Sequence, residues 1–162
     1  MTYSGRRLPR ALFLAPSAAV LVMAAAGCSS SDAQASITVP TPSSEAAAYC
    51  EALHKELPKT VAGMDRSDPE PDSDLTAGWG DGAIVLRCGV PRPSKMEDAQ
   101  SDAVDADGVN WLLEQREGAG PRFTTTYRKA YVEVTLPEEF AHDITPLAEF
   151  AASVGKTVPK SL

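Results

Sequence analysis

The chain has 162 residues, 15 Lys+Arg against 22 Asp+Glu, three Cys and 6% aromatic residues, which suits one ordinary domain and excludes a multidomain enzyme. Its formal charge is −7, and because Arg6, Arg7 and Arg10 all precede the expected start of the mature chain, that chain carries 12 bases, 22 acids and a charge of −10. Nucleic acid is therefore not expected as a partner, since phosphate binding needs a clustered basic surface.

Residues 1–10 hold three Arg and no acid, residues 11–26 (ALFLAPSAAVLVMAAA) are uncharged and almost wholly apolar, and small residues then lead into Gly27-Cys28. These are the three parts of a signal peptide. The apolar run contains Pro16 and falls short of the roughly 20 residues that span a bilayer comfortably. Ala25-Ala26-Gly27-Cys28 resembles the lipobox of bacterial lipoproteins, with Ala25 where Leu is more usual. That resemblance implies that residues 1–27 are removed and that Cys28 is lipidated on sulfur, anchoring the protein on the extracytoplasmic face of the cell membrane. Two acyl chains, at about 0.8 kcal/mol per buried methylene, hold stably where one does not. The alternative is a plain cleavage site after Ala24-x-Ala26 and a secreted protein. Arg6-Arg7 is followed by Leu8-Pro9, a poor match to a twin-arginine signal, so general secretion is expected. Residues 28–42 read as a flexible tether, rich in Ser and other small or polar residues.

A single domain is expected over residues 43–156. Ser43 and Ser44 offer an N-cap, and Ala46, Tyr49, Cys50, Leu53 and Leu57 recur at helical spacing, which places Cys50 on the buried stripe of a helix ending near Pro58. Residues 83–88 (AIVLRC) read as a strand with Ile84, Leu86 and Cys88 on one face. A helix packed on that face brings Cys50 and Cys88 together, in a compartment that permits disulfides. There is no C-x-x-C and no His at ligand spacing to suggest a redox or metal pair.

Residues 109–115 (VNWLLEQ) and 122–127 (RFTTTY) flank the Gly-rich turn Glu117-Gly-Ala-Gly-Pro121 as a hairpin, and residues 131–136 (YVEVTL) alternate as a fourth strand. Thr145-Pro146 then gives an N-cap followed by Pro, with Leu147, Phe150, Ala151 and Val154 on one stripe and Gly155 as the stop; residues 157–162 form a tail. The order α-β-β-β-β-α predicts an α+β fold, a two-layer sandwich with both helices on one face of an antiparallel four-stranded sheet.

The segment from Trp79 to Pro93 (WGDGAIVLRCGVPRP), the downstream GVNWL from Gly108 to Leu112, and residues 123–140 (FTTTYRKAYVEVTLPEEF) resemble the small secreted actinobacterial family known as domain of unknown function 3515. The resemblance covers about residues 45–156. It implies an exported or membrane-anchored protein with one Cys in the first helix and one in LRCG, and it brings no catalytic residues.

No catalytic constellation is expected. His54 reads as a helix-surface residue and His142 as part of a polar loop. Residues 103–114 place Asp105, Asp107, Gly108 and Glu114 at positions 3, 5, 6 and 12 of a calcium loop, but Ala103 and Asn110 break the pattern, so no metal and no cofactor are expected. Arg87 should point away from the helices, and Arg128 and Lys129 should occupy the turn between the last two strands. Trp111 alternates with Val109 and Leu113 and reads as core, whereas Trp79, between Gly78 and Gly80, reads as a residue at the sheet edge. Trp79, Arg87, Arg128 and Lys129 form the candidate binding surface.

The expected function is that of a lipid-anchored cell-envelope protein, a non-enzymatic binding or accessory module. Its expected partners are the membrane, through Cys28, and an envelope protein or polymer. The alternative is an enzyme or enzyme inhibitor acting on cell-wall material. The acidity is concentrated in residues 65–74, with five acids and one base, and residues 97–107, with five acids and no base.

Overall fold

A computed structural model describes residues 36–161. The expected signal peptide and Cys28 lie outside the described residues. Residues 36–42, the end of the expected tether, run along the domain: the Ile37 N–H donates to Glu70 O at 3.1 Å, and Pro40 is buried.

The first helix, α1 (Ser44–Glu56), starts where Ser43 caps it, its hydroxyl oxygen accepting from the Ala46 N–H at 3.4 Å. It buries Cys50 and Leu53 and ends one residue before Leu57-Pro58, since Pro cannot continue the helical hydrogen-bond ladder. A small hairpin follows, β1 (Thr60–Val61) against β2 (Met64–Asp65). Next come β3 (Thr76–Trp79), β4 (Ile84–Val90), β5 (Ala103–Ala106), β6 (Val109–Arg116), β7 (Ala119–Thr125) and β8 (Tyr131–Thr135), and finally α2 (Thr145–Thr157).

The fold is α+β with antiparallel sheets, but the larger sheet has six strands rather than four, in the order β3-β4-β8-β7-β6-β5. The two additional strands are its edges. β3 is four residues long and includes Gly78, a residue depleted in strands, so it lacks an alternating signature. It is a strand because residues 66 and 67 and β4 flank it: the Ser67 N–H donates to Gly78 O at 2.8 Å, and a Cβ at Gly78 would meet Ser67 O at 2.6 Å. β5 (AVDA) is short and carries Asp105, within the acidic stretch 97–107; short, charged edge strands are one way a sheet discourages pairing with other chains.

Residues directly opposite one another share a face, so the register assigns every side chain. Ala77, Leu86, Val134, Phe123 and Leu113 form one cross-strand row, with Cys88 opposite Val132 and Val104 opposite Trp111 on the same side. α1 and α2 pack on this face, where Cys50, Leu53, Leu147, Phe150 and Val154 complete the core. Cys50 and Cys88 are disulfide-bonded, with Cα atoms 5.5 Å apart. α2 starts at Thr145 rather than after it. Ile144 is its N-cap, without a side-chain cap bond, and the Asp143 carboxylate just before it accepts the Thr145 N–H at 2.8 Å.

The opposite face carries charges in alternating order. Arg87 lies opposite Glu133 on β8, and Arg122 lies opposite Glu114 on β6. Arg87 approaches Glu133 to 2.7 Å, Arg122 binds both oxygens of Glu114 at 3.0 and 3.1 Å, and Arg122 lies 3.9 Å from Glu133. The bidentate hydrogen bonds that Arg122 donates to Glu114 outweigh burial and raise the Arg122 pKa above its ordinary value.

Candidate functional site

The turn from β7 to β8 is held by the end of the chain. The Lys129 N–H donates to Pro159 O and the Ser161 N–H to Tyr127 O, each at 3.0 Å, so residues 127–129 and 159–161 run antiparallel. On the other side the Thr126 N–H donates to Asn110 O at 2.8 Å. Tyr127 sits between these anchors with φ +53°, a conformation costly for a residue with a Cβ. Its side chain is 60% exposed, which makes it the most exposed large apolar residue among those described.

Three cavities meet at this turn. One of about 270 Å³ lies between Asn110, Tyr127, Arg128 and Lys160. A second, of about 300 Å³, is bounded by Arg92, Met96, Leu112, Tyr127 and Tyr131. A third, of about 430 Å³, runs between residues 38–43 and the end of β4, with Arg87, Lys129 and Tyr131 on its walls. Gly89 admits the segment that forms one wall: its φ is +85°, and a Cβ there would stand 2.6 Å from Pro42.

Three of the four residues expected at the binding surface come to this end of the sheet. Arg87 is paired with Glu133 and donates from Nη1 to Thr38 O at 3.4 Å. Lys129 lies 3.5 Å from Glu45 and is half-exposed. Arg128 is folded inward, 7% exposed, with Nη1 donating to Val158 O at 2.9 Å, and the loss of solvent lowers its pKa from the ordinary value. Trp79 is the correction. It is fully buried rather than at the sheet surface, its ring meeting Phe150 edge-on at 5.1 Å and its Nε1–H donating to Pro58 O at 3.1 Å, because β3 faces it toward α2.

Tyr127, Tyr131, Asn110 and Lys160 were not expected at the binding surface. Tyr127 ends an alternating run and falls directly before two bases, a signal that was available. Lys160 lies in the expected tail, and only long-range pairing brings it to Arg128.

The remaining chemistry-bearing residues lie elsewhere. His54 is mostly buried against the acidic connection 65–74, with Nδ1 3.4 Å from Asp74 outside hydrogen-bonding geometry and Nε2 3.9 Å from Asp68, itself bound by Arg66 at 2.8 Å. Asp105 is engaged within its own turn, accepting the Gly108 N–H at 3.0 Å. Among the described residues no group of three or more His, Cys, Asp or Glu side chains is placed to hold a metal ion, and no helix is long and apolar enough to cross a membrane.

A family model described as protein of unknown function (DUF3515) matches residues 12–162. No curated protein and no solved structure matches the chain.

Proposed function

From the premise that the chain belongs to the DUF3515 family, we propose that it is an exported protein, lipid-anchored through Cys28 to the outer face of the cell membrane, and that it works as a non-enzymatic binding or accessory module. The support for export and anchoring is the basic, apolar and small-residue sequence that leads into Cys28. Within the domain we read the two helices as one layer and the six-stranded sheet as the other. The observation that carries the binding role is that two cavities share one exposed aromatic, Tyr127, as wall, with a third opening at the same β7–β8 turn beside Lys129 and Tyr131. Concave surface beside a rigidly held aromatic is the usual make-up of a recognition site. The stretch from Cys28 to Ile37 reaches at most about 32 Å at 3.6 Å per residue, so an anchored domain stays close to the envelope surface.

Two measurements test the reading. Mass spectrometry of the membrane fraction should find Cys28 carrying the lipid, and Cys28→Ser should abolish acylation; an unmodified Cys28 overturns the anchor. A photo-crosslinking side chain at position 127, in intact cells, should capture one discrete partner that the same probe at Glu51 does not. Equal adducts from both positions, or none at 127, remove the β7–β8 end as the binding surface.

A further inference from the structure

We propose that the cavity between Tyr127, Arg128 and Lys160 is a site for the phosphate ester group of an anionic ligand. This rests on the reading of the β7–β8 end as the binding surface and names the chemistry of what it binds.

Arg128 motivates the assignment. A guanidinium offers five N–H donors in a planar fork, and burying it without an opposite charge is costly. Arg128 is 7% exposed, yet its one acceptor among the described residues is the neutral Val158 O at 2.9 Å. Four other arginines each have a carboxylate: Arg66 with Asp68 at 2.8 Å, Arg87 with Glu133 at 2.7 Å, Arg92 with Glu97 at 3.1 Å and Arg122 with Glu114 at 3.0 Å. Arg116, which like Arg128 donates to a carbonyl, Gly120 O at 2.9 Å, is only partly buried. Arg128 is therefore the one buried arginine among the described residues with no carboxylate within 4.0 Å, and it lines a cavity. The lowering of its pKa by lost solvation agrees with a cation short of compensating charge.

The second cation selects the ligand class. Lys160 lines the same cavity and also has no carboxylate within 4.0 Å among the described residues. A single carboxylate would balance one of these two charges, whereas a phosphate ester carries about −1.5 to −2 near pH 7 and three acceptor oxygens, enough for both. Asn110 adds an amide and Tyr127 a phenol as further donors at the wall. The acids of the neighbouring β5–β6 turn, Asp105 and Asp107, make no ion pair with either base, and Asp105 already accepts the Gly108 N–H. A cavity of about 270 Å³ lies just below the usual size of small-molecule pockets, which suits the head of a ligand whose body extends past the exposed Tyr127 ring.

The test is calorimetric titration of the detergent-purified full chain with inorganic phosphate, glycerol 1-phosphate and acetate. Saturable binding of phosphate and glycerol phosphate is expected, with acetate weaker. Lys160→Ala should weaken phosphate by about fivefold and Arg128→Lys, which keeps the charge but loses the fork, by about tenfold. Lys55→Ala should change nothing. Lys160 is exposed, so its variant remains informative if the Arg128 variant fails to fold. A parallel titration with phosphatidylglycerol nanodiscs, against phosphatidylcholine, separates a lipid headgroup from a soluble ester as the natural source. No saturable phosphate binding, binding indifferent to Lys160→Ala, or acetate binding as well as phosphate overturns the assignment. If that happens while the probe at position 127 still captures a partner, the binding surface stands and its ligand chemistry is different.

Discussion

Removing the Cys50–Cys88 bridge gives the most quantitative test of how this domain is held together. The cross-link closes a loop with a sequence separation of 38, and at that length the chain-entropy relation assigns about 3.9 kcal/mol at 25 °C to the restriction of the unfolded chain. This is a large share of a typical stability of about 5–15 kcal/mol. At about 2.1 cal/mol/K of unfolding entropy per residue over residues 36–161, it corresponds to a fall in Tm of about 15 °C. Both sulfurs are buried, so Cys50→Ala with Cys88→Ala adds a small cavity cost to the entropic one. Comparing that variant with chemically reduced wild type separates the two effects. Equilibrium urea unfolding should show a lower midpoint and a larger m-value in both, because an uncrosslinked unfolded chain exposes more surface. A loss below about 1.5 kcal/mol with m unchanged would refute the argument. So would alkylation of both cysteines in the unreduced, denatured protein.

Trp79→Ala should destabilise the domain by about 3–5 kcal/mol in urea melts, because the ring is fully buried against Phe150; a loss under about 1 kcal/mol would return Trp79 to the surface. Gly89→Ala places a methyl group 2.6 Å from Pro42 at a backbone φ of +85°, so limited proteolysis within residues 36–42 should accelerate while the core melts almost unchanged; an unaltered cleavage rate would mean that this segment does not pack there. Asp143 is held below its ordinary pKa by hydrogen bonds from the Thr145 side chain and backbone N–H. A carboxylate whose pKa is lower folded than unfolded adds stability above its unfolded value, about 3.9, and loses it as pH falls through the folded value. The wild type should therefore exceed Asp143→Ala in urea midpoint at pH 6, with the gap closing in acid, and a gap that persists at pH 2 would remove the carboxylate as its source.

Much of the fold was legible locally. Ser43, Cys50 and Leu53 marked α1, and the alternation of Tyr131, Val132, Glu133, Val134 and Thr135 marked β8. The edge strands were not legible. β3 and β5 are four residues each, too short for alternation to separate strand from loop, and their hydrogen-bonding partners rather than their composition make them strands. Of the candidate site, Arg128 and Lys129 were found because a turn between two strands has a local signature. The left-handed backbone of Tyr127 was not legible, because it is fixed by long-range hydrogen bonds, from the Ser161 N–H to Tyr127 O and from the neighbouring Thr126 N–H to Asn110 O.

By itself the sequence determined the helices and the four central strands, the pairing of the two domain cysteines, the acidity of two connections and, through its motifs, the family. Those features depend on residues close together in the chain or on the only even set of thiols in the domain. Tertiary structure alone decided what each charge and ring does. Periodicity shows which side of a strand a residue occupies, but not which strand lies beside it. Arg87 meets Glu133 across a separation of 46 residues, and Arg128 reaches Val158 across 30. Two arginines that look alike in sequence thus end differently: Arg87 is neutralised in a cross-strand ion pair, and Arg128 is buried beside a cavity with no carboxylate within 4.0 Å among the described residues.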